Sequence, residues 1–280
     1  MSHCPNCPHC NPRPDGVRYE MVTVTPALAE KWLEQNTHNR RLKNKVYSYA
    51  RDMEAGNWRQ NGETIKFATD GTLIDGQHRL HAIGLSKSTM ELLVVTGLPM
   101  QAQETVDDGA KRTLADALTL RGEANTSILA AVTRRAFMWT QGLYRNTGSA
   151  TPTNTECLTF LGKNERIRES ATLAAAVAKP AKLPASVIGL THWVFAGIDA
   201  ADAAWFFEHL ASGANLDKYH PVWTLRQRAE SIDKEPGRVP EDMLLALVIK
   251  AWNAFRDGRE LKLLQFRPGG SIQEKFPLPK

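Results

Sequence analysis

The chain has 280 residues, of which 42% are hydrophobic and 23% charged. That is the balance of a soluble globular protein, with length for one large domain or two ordinary ones, each burying a real core. The formal charge is +5 and the pI near 9.0, a mild basicity compatible with a nucleotide partner, a nucleic acid or neither. No apolar run approaches the roughly 20 residues that a membrane helix needs, and MSHCPNCPHC lacks the apolar core of a signal peptide. A cytoplasmic location with no membrane partner is expected.

Residues 1–18 read as a Cys/Pro-rich leader. Cys4, Cys7 and Cys10 form a C-x2-C-x2-C run with His3 and His9 beside it, while Cys157 stands far away. That spacing suits Zn²⁺ or part of an iron–sulfur cluster rather than a disulfide framework. A fourth ligand would have to come from His3, His9 or another chain, and an unstructured proline-rich leader is the alternative. EMVTVT (20–25) alternates as a short strand. Thr25-Pro26 then caps a helix, ALAEKWLEQN, with proline at its first position. A second helix is expected over 41–55, where Val46, Tyr49 and Met53 recur at helical spacing and Gly56 closes it.

From Asn61 the period shortens. TIKFAT and TLIDG flank Asp70-Gly71, a strong hairpin signal. Gln77 to Leu85 reads as a helix and MELLVVTGL (90–98) as a buried strand. VDDGAKRTLADAL (106–118) opens a further helix. Seven helical segments follow, at 125–142, 153–161, 164–178, 184–196, 200–211, 219–231 and 240–257, with Pro180 among the expected breaks. Trp193, Trp205 and Trp252 are expected to pack, His192 and His209 to be core or surface residues, and Cys157 to be a buried thiol. The residues after 265 are Pro/Gly-rich and read as an extended tail. The expected organisation is a 19–120 mixed-sheet domain, a 121–265 helical domain and a 266–280 tail, an α+β chain.

The chemistry concentrates in LIDGQHRLHA (73–82). Leu73 and Ile74 end a strand, Asp75-Gly76 makes the turn, and Gln77, His78 and Arg79 fill the first helical turn. A helix N-terminus presents unpaired N–H groups and a positive dipole end, so an arginine there is electrostatically misplaced. A bound anion resolves the conflict, with Arg79 gripping phosphate oxygens bidentately. Asp75 beside such an anion would hold Mg²⁺ or act as a base; alternatively it only caps the helix. Two more stretches are candidates for the same pocket. One is NTHNRR (36–41), with Asn39 and Arg40. The other is the helix start at Lys111, Arg112 and Thr113, preceded by Asp107 and Asp108.

These residues resemble the ParB/sulfiredoxin superfamily of nucleotide-binding domains, over about residues 20–120. Gly62-Glu63-Thr64-Ile65 looks like the glycine-containing strand entry of ParB. Gly76-Gln77-His78-Arg79, followed by Ala82, falls where ParB has the phosphate box Gly-Glu-Arg-Arg. Sulfiredoxin has Gly-Gly-Cys-His-Arg there, and the ParB-like free-serine kinases have Asp-Gly-His-His-Arg, which Asp75-Gly76-Gln77-His78-Arg79 matches best. Gln77 replaces the sulfiredoxin cysteine, which argues against sulfinate reduction. His78-Arg79 replaces the paired arginines of ParB and no helix-turn-helix domain is recognisable, which argues against chromosome partition. Chains with all three features resemble phage proteins called ParB-like nucleases.

The resemblance implies a small ParB/sulfiredoxin-like domain that binds a nucleoside triphosphate or diphosphate with Mg²⁺ and hydrolyses or transfers a phosphoryl group. The implied catalytic residues are Asp75 (also the Mg²⁺ ligand), Glu63 and His78. The implied phosphate contacts are Thr64, Gly76, Gln77, His78, Arg79, Asn39, Arg40, Lys111, Arg112 and Thr113. Two alternatives stand beside it: a non-enzymatic DNA-binding protein using the basic 256–267 stretch, and a metal-dependent nuclease using Asp75 with Asp107 or Asp108.

Overall fold

The computed structural model describes residues 16–36, 42–105, 113–144, 151–235, 237, 239–269 and 273–280. The expectations for Cys4, Cys7, Cys10, Asn39, Arg40, Asp107, Asp108, Lys111 and Arg112 lie outside these residues. Two compact units divide the chain, Met1–Lys111 and Arg112–Lys280.

The first unit contains β1 (Arg18–Val24), α1 (Pro26–Leu33), α2 (Lys45–Glu54), β2 (Thr64–Ala68), β3 (Leu73–Asp75), α3 (Gln77–Ser86) and β4 (Met90–Leu98). Its sheet has the order β1-β4-β2-β3. β1 runs antiparallel to β4, β4 parallel to β2, and β2 antiparallel to β3. MELLVVTGL is thus an interior strand, which is why it carries so little polarity. Alternate residues of the strands, Val24, Leu92, Val94, Ile65, Phe67 and Leu73, meet Ala29, Val46, Ala50, Met53, Leu80 and Ile83 of the three helices in one core.

Local chemistry fixes the ends. Thr25 Oγ1 accepts the Leu28 N–H, and Pro26 takes the first helical position of α1, where its missing N–H costs nothing. The hairpin forms as expected: Gly71 has φ +87°, and Asp70 Oδ1 accepts the Thr72 N–H at 2.9 Å. That backbone hydrogen bond lowers the Asp70 pKa. α2 begins at Lys45, four residues later than its periodicity suggested.

The second unit is helical: α4 (Leu114–Thr119), α5 (Thr126–Thr140), α6 (Asn154–Lys163), α7 (Arg166–Ala181), α8 (Ala185–Ile198), α9 (Ala200–Ser212), α10 (Pro221–Lys234) and α11 (Glu241–Arg256). Its core centres on the fully buried Phe195, Phe206, Phe207 and Trp252, with Phe195 and Trp252 stacked at 4.2 Å. Gly189 of α8 sits against α5 so closely that a Cβ there would lie 2.3 Å from Val132 Cγ2.

Two expectations are corrected. The boundary at 120 moves back to Lys111, because Leu114 and Leu118 of α4 belong to the helical core. Pro180 does not break α7, which continues to Ala181 and ends at Lys182 with φ +53°. In the last turn a proline forfeits only one hydrogen bond, to the carbonyl four residues earlier, and the helix is about to end anyway. Residues 273–280 form no helix or strand. Trp252 Nε1 donates to the Lys280 carbonyl at 2.9 Å, and Asn253 Nδ2 to the Leu278 carbonyl at 2.8 Å.

Candidate functional site

The strand–turn–helix of β3 and α3 is built as its sequence indicates. Gly76 has φ +105°, and a Cβ there would lie 2.5 Å from Ile65 Cδ1 and 3.2 Å from Ile65 Cα. Only glycine therefore allows α3 to start against β2. The polar residues around it are not solvated. Asp75, Gln77, His78 and Arg79 are 8%, 3%, 8% and 6% exposed.

Their partners explain how such a turn can be buried. Asp75 Oδ1 accepts the Gly76 N–H at 2.7 Å, while Oδ2 accepts from Lys66 Nζ at 2.8 Å and from Arg79 at 3.2 Å. The other side of the Arg79 guanidinium meets Glu63 Oε2 at 2.6 Å and the Thr64 carbonyl at 2.6 Å. Gln77 Oε1 accepts from Asn36 Nδ2 at 3.2 Å, and His78 Nε2 accepts the Lys43 N–H at 3.2 Å. The first turn of α3 thus ties down the chain on both sides of residues 37–41. Arg79 Nε and Asn36 Oδ1 are buried with no hydrogen-bond partner.

The charges balance. Lys66 and Arg79 face Asp75 and Glu63 in one cluster of two formal positive and two formal negative charges. Arg79 and Asp75 are both buried, whereas the Glu63 side chain is 51% exposed. Glu63 is the one acid of the four with room to leave. Beside it lies a pocket of about 330 Å³ whose walls include Met21, Trp58, Gln60, Asn61 and Glu91. The Trp58 ring is braced edge-on by Tyr49 at 5.2 Å.

Asp75, Glu63, Thr64, Gly76 and Arg79 therefore come together as the sequence suggested, with two changes of role. Thr64 contributes its carbonyl to Arg79. Asp75 uses both carboxylate oxygens on protein donors. Thr113 belongs to the second unit, where its hydroxyl accepts the Asp116 N–H and Asp116 caps back onto the Thr113 backbone, a capping box for α4. Lys66 was missed. Its position between Ile65 and Phe67 puts it on the opposite face of β2 from the core, and the register pairs it with Asp75. Among the described residues no group of three or more His, Cys, Asp and Glu side chains is arranged to hold a metal ion, and no described helix is long and apolar enough to cross a membrane.

Two of the four cations of the basic 256–267 stretch are paired, Arg256 with Asp199 and Asp202 and Arg259 with Asp257, while Lys262 lies over the Tyr219 ring. Cys157 is fully buried, and burial pushes its thiol up to about 11. His209 stacks on Trp205 at 3.8 Å. No family model, curated protein or solved structure matches this chain.

Proposed function

We propose that the first unit is a nucleotide-binding domain resembling the ParB/sulfiredoxin superfamily, and that the N-terminal turn of α3 receives the phosphates. The observation that carries this reading is the buried Arg79, held at a helix N-terminus by one buried and one exposed acid. A buried guanidinium needs an anion, and a helix start is where an external one is best received. The Glu63 carboxylate holds the outer side of the Arg79 guanidinium, the position a phosphate oxygen would take. A phosphate oxygen takes its place on Arg79 and Glu63 swings outward, with Arg79 and Lys66 offsetting part of the added negative charge.

The roles then separate. Asp75 orients Arg79 and Lys66, and Gly76 permits the close approach. Gln77 and His78 couple the turn to the segment that holds Asn39 and Arg40. Released Glu63 becomes the carboxylate able to take a proton from water or another acceptor. Mg²⁺ carried by the nucleotide would supply further charge neutralisation, and the pocket beside Trp58 offers the base an aromatic face. Hydrolysis or transfer of the γ-phosphoryl group then depends on charge neutralisation and positioning. A phage or other DNA-related process is the setting that the resemblance suggests. The DNA-binding alternative is weakened by the pairing of Arg256 and Arg259, and the nuclease alternative by the full use of Asp75.

Calorimetry with ATP, CTP and ADP in Mg²⁺ tests the reading. Wild type is expected to bind at least one of them, and Arg79→Ala to bind about tenfold or more weakly, a loss of about 1.4 kcal/mol or more. Lys66→Ala, at a more exposed cation, is expected to fall in the same direction and serves if Arg79→Ala does not fold. Wild type that binds none of the three nucleotides overturns the proposal. A supercoiled plasmid with Mg²⁺ or Mn²⁺ and a gel shift at low salt check the two alternatives.

A further inference from the structure

A groove in the helical unit shares no residue with the site described above. An open groove of about 1080 Å³ runs along α7 and α9, with His192 of α8 among its lining residues. Its walls are small or apolar: Leu173, Ala176, Val177, Ala204, Phe207 and Ala211. Ala176 and Ala204 are exposed, so this is apolar surface left open beside a core, the usual mark of a binding site.

Three polar features set what would fit. First, Ser170 Oγ lies 2.9 Å from His192 Nδ1 and also donates to the Arg166 carbonyl at 3.1 Å. With the serine proton directed to the Arg166 carbonyl, the compatible neutral His192 tautomer carries its proton on Nδ1. Burial lowers the His192 pKa, which favours this neutral form. Second, Glu169 and Glu208 border the groove and are exposed. Neither carries an ion pair with a described residue. Third, the one cation in the lining, Arg168, is committed to Glu123 by bonds of 2.6–3.1 Å. The groove therefore joins apolar walls to a net negative rim.

We infer that this groove binds an organic cation with an apolar body, such as an aromatic ring bearing an amine. The ring covers Leu173, Ala176 and Ala204, and the charged donor faces Glu169 and Glu208. Its charge requirement is the opposite of a phosphate site, so the two sites cannot share a ligand.

The experiment compares tryptamine, indole and indole-3-acetate on the full chain, followed by methyl NMR of labelled alanine, leucine and valine. Tryptamine is expected to give saturable shifts at Leu173, Ala176, Val177, Ala204 and Ala211. It is expected to bind about three- to fivefold tighter than indole, the range that an exposed charge pair supplies. Indole-3-acetate is expected to be weakest. The double variant E169Q/E208Q, at two exposed positions, is expected to keep indole binding and to erase the preference for tryptamine. The inference fails if none of the probes shifts these methyls, if indole-3-acetate binds as tightly as tryptamine, or if the preference survives in E169Q/E208Q. It fails too if the same methyls shift on concentrating the protein alone, which would make the groove a contact between copies.

Discussion

Arg79 is held by Asp75, Glu63 and the Thr64 carbonyl, and the turn that places it can be tested at Asp75 and at Gly76. Asp75→Asn keeps a similar shape but removes the charge shared by Lys66 and Arg79. A loss of about 1–3 kcal/mol in urea unfolding is expected for a charge-assisted pair below the surface. Gly76→Ala forces a left-handed residue into contact with Ile65 and is expected to cost about 1–3 kcal/mol. Both losses are to be read from the denaturation midpoint at unchanged slope. At Cys157 the raised pKa and full burial predict no alkylation by iodoacetamide at pH 8 in the native state. Modification on adding denaturant, followed by peptide mass spectrometry, is the expected contrast.

His192 gives a pH dependence of known sign. Burial holds its pKa below the ordinary 6.5, so on acidification through 6.5 the unfolded chain takes up a proton that the folded one refuses. Stability therefore falls as pH drops below about 6.5. Melting temperatures measured from pH 7.5 to 5 are expected to decline less steeply in His192→Gln. A residual slope is expected, since burial also lowers the pKa of His81 and His220.

At the scale of elements, the packing of α5 on α8 turns on the absence of a methyl group. Gly189→Ala places a Cβ against Val132, and overpacking of this kind costs about 1–3 kcal/mol. Val132→Ala removes the obstructing methyls, so Gly189→Ala/Val132→Ala is expected to be more stable than the sum of the single effects predicts. Thermal unfolding of all three variants completes the cycle.

Elements were also where the sequence spoke most clearly. The seven later helices follow from apolar spacing and Gly, Pro or Asn punctuation, and the hairpin from Asp70-Gly71 with alternating flanks. What escaped was of longer range. That α4 joins the helical core depends on where Leu114 and Leu118 land, which no local period encodes. At the site, glycine and arginine announced themselves by their chemistry at a helix start. Lys66 did not, because its importance comes from the register between β2 and β3. Nor does spacing reveal that Asp75 spends both oxygens on its own chain.

For the whole molecule, the division at residue 111 carries a prediction. Residues 112–280 contain a contiguous core with Phe195, Phe206, Phe207 and Trp252 at its centre. Each such side chain contributes about 1.5–3 kcal/mol on burial. This fragment expressed alone is expected to show helical circular dichroism and a cooperative melt. A gradual, uncooperative loss of signal would show that the unit depends on the rest of the chain.

The tail adds a consequence in time. Trp252 lies in the core, yet its indole N–H is satisfied by the carbonyl of Lys280, 28 positions further on. During synthesis α11 leaves the ribosome before its partner does, so the helices first assemble around an indole with an unanswered donor. Docking of residues 273–280 then answers that donor, a step distinct from the packing of α11 itself.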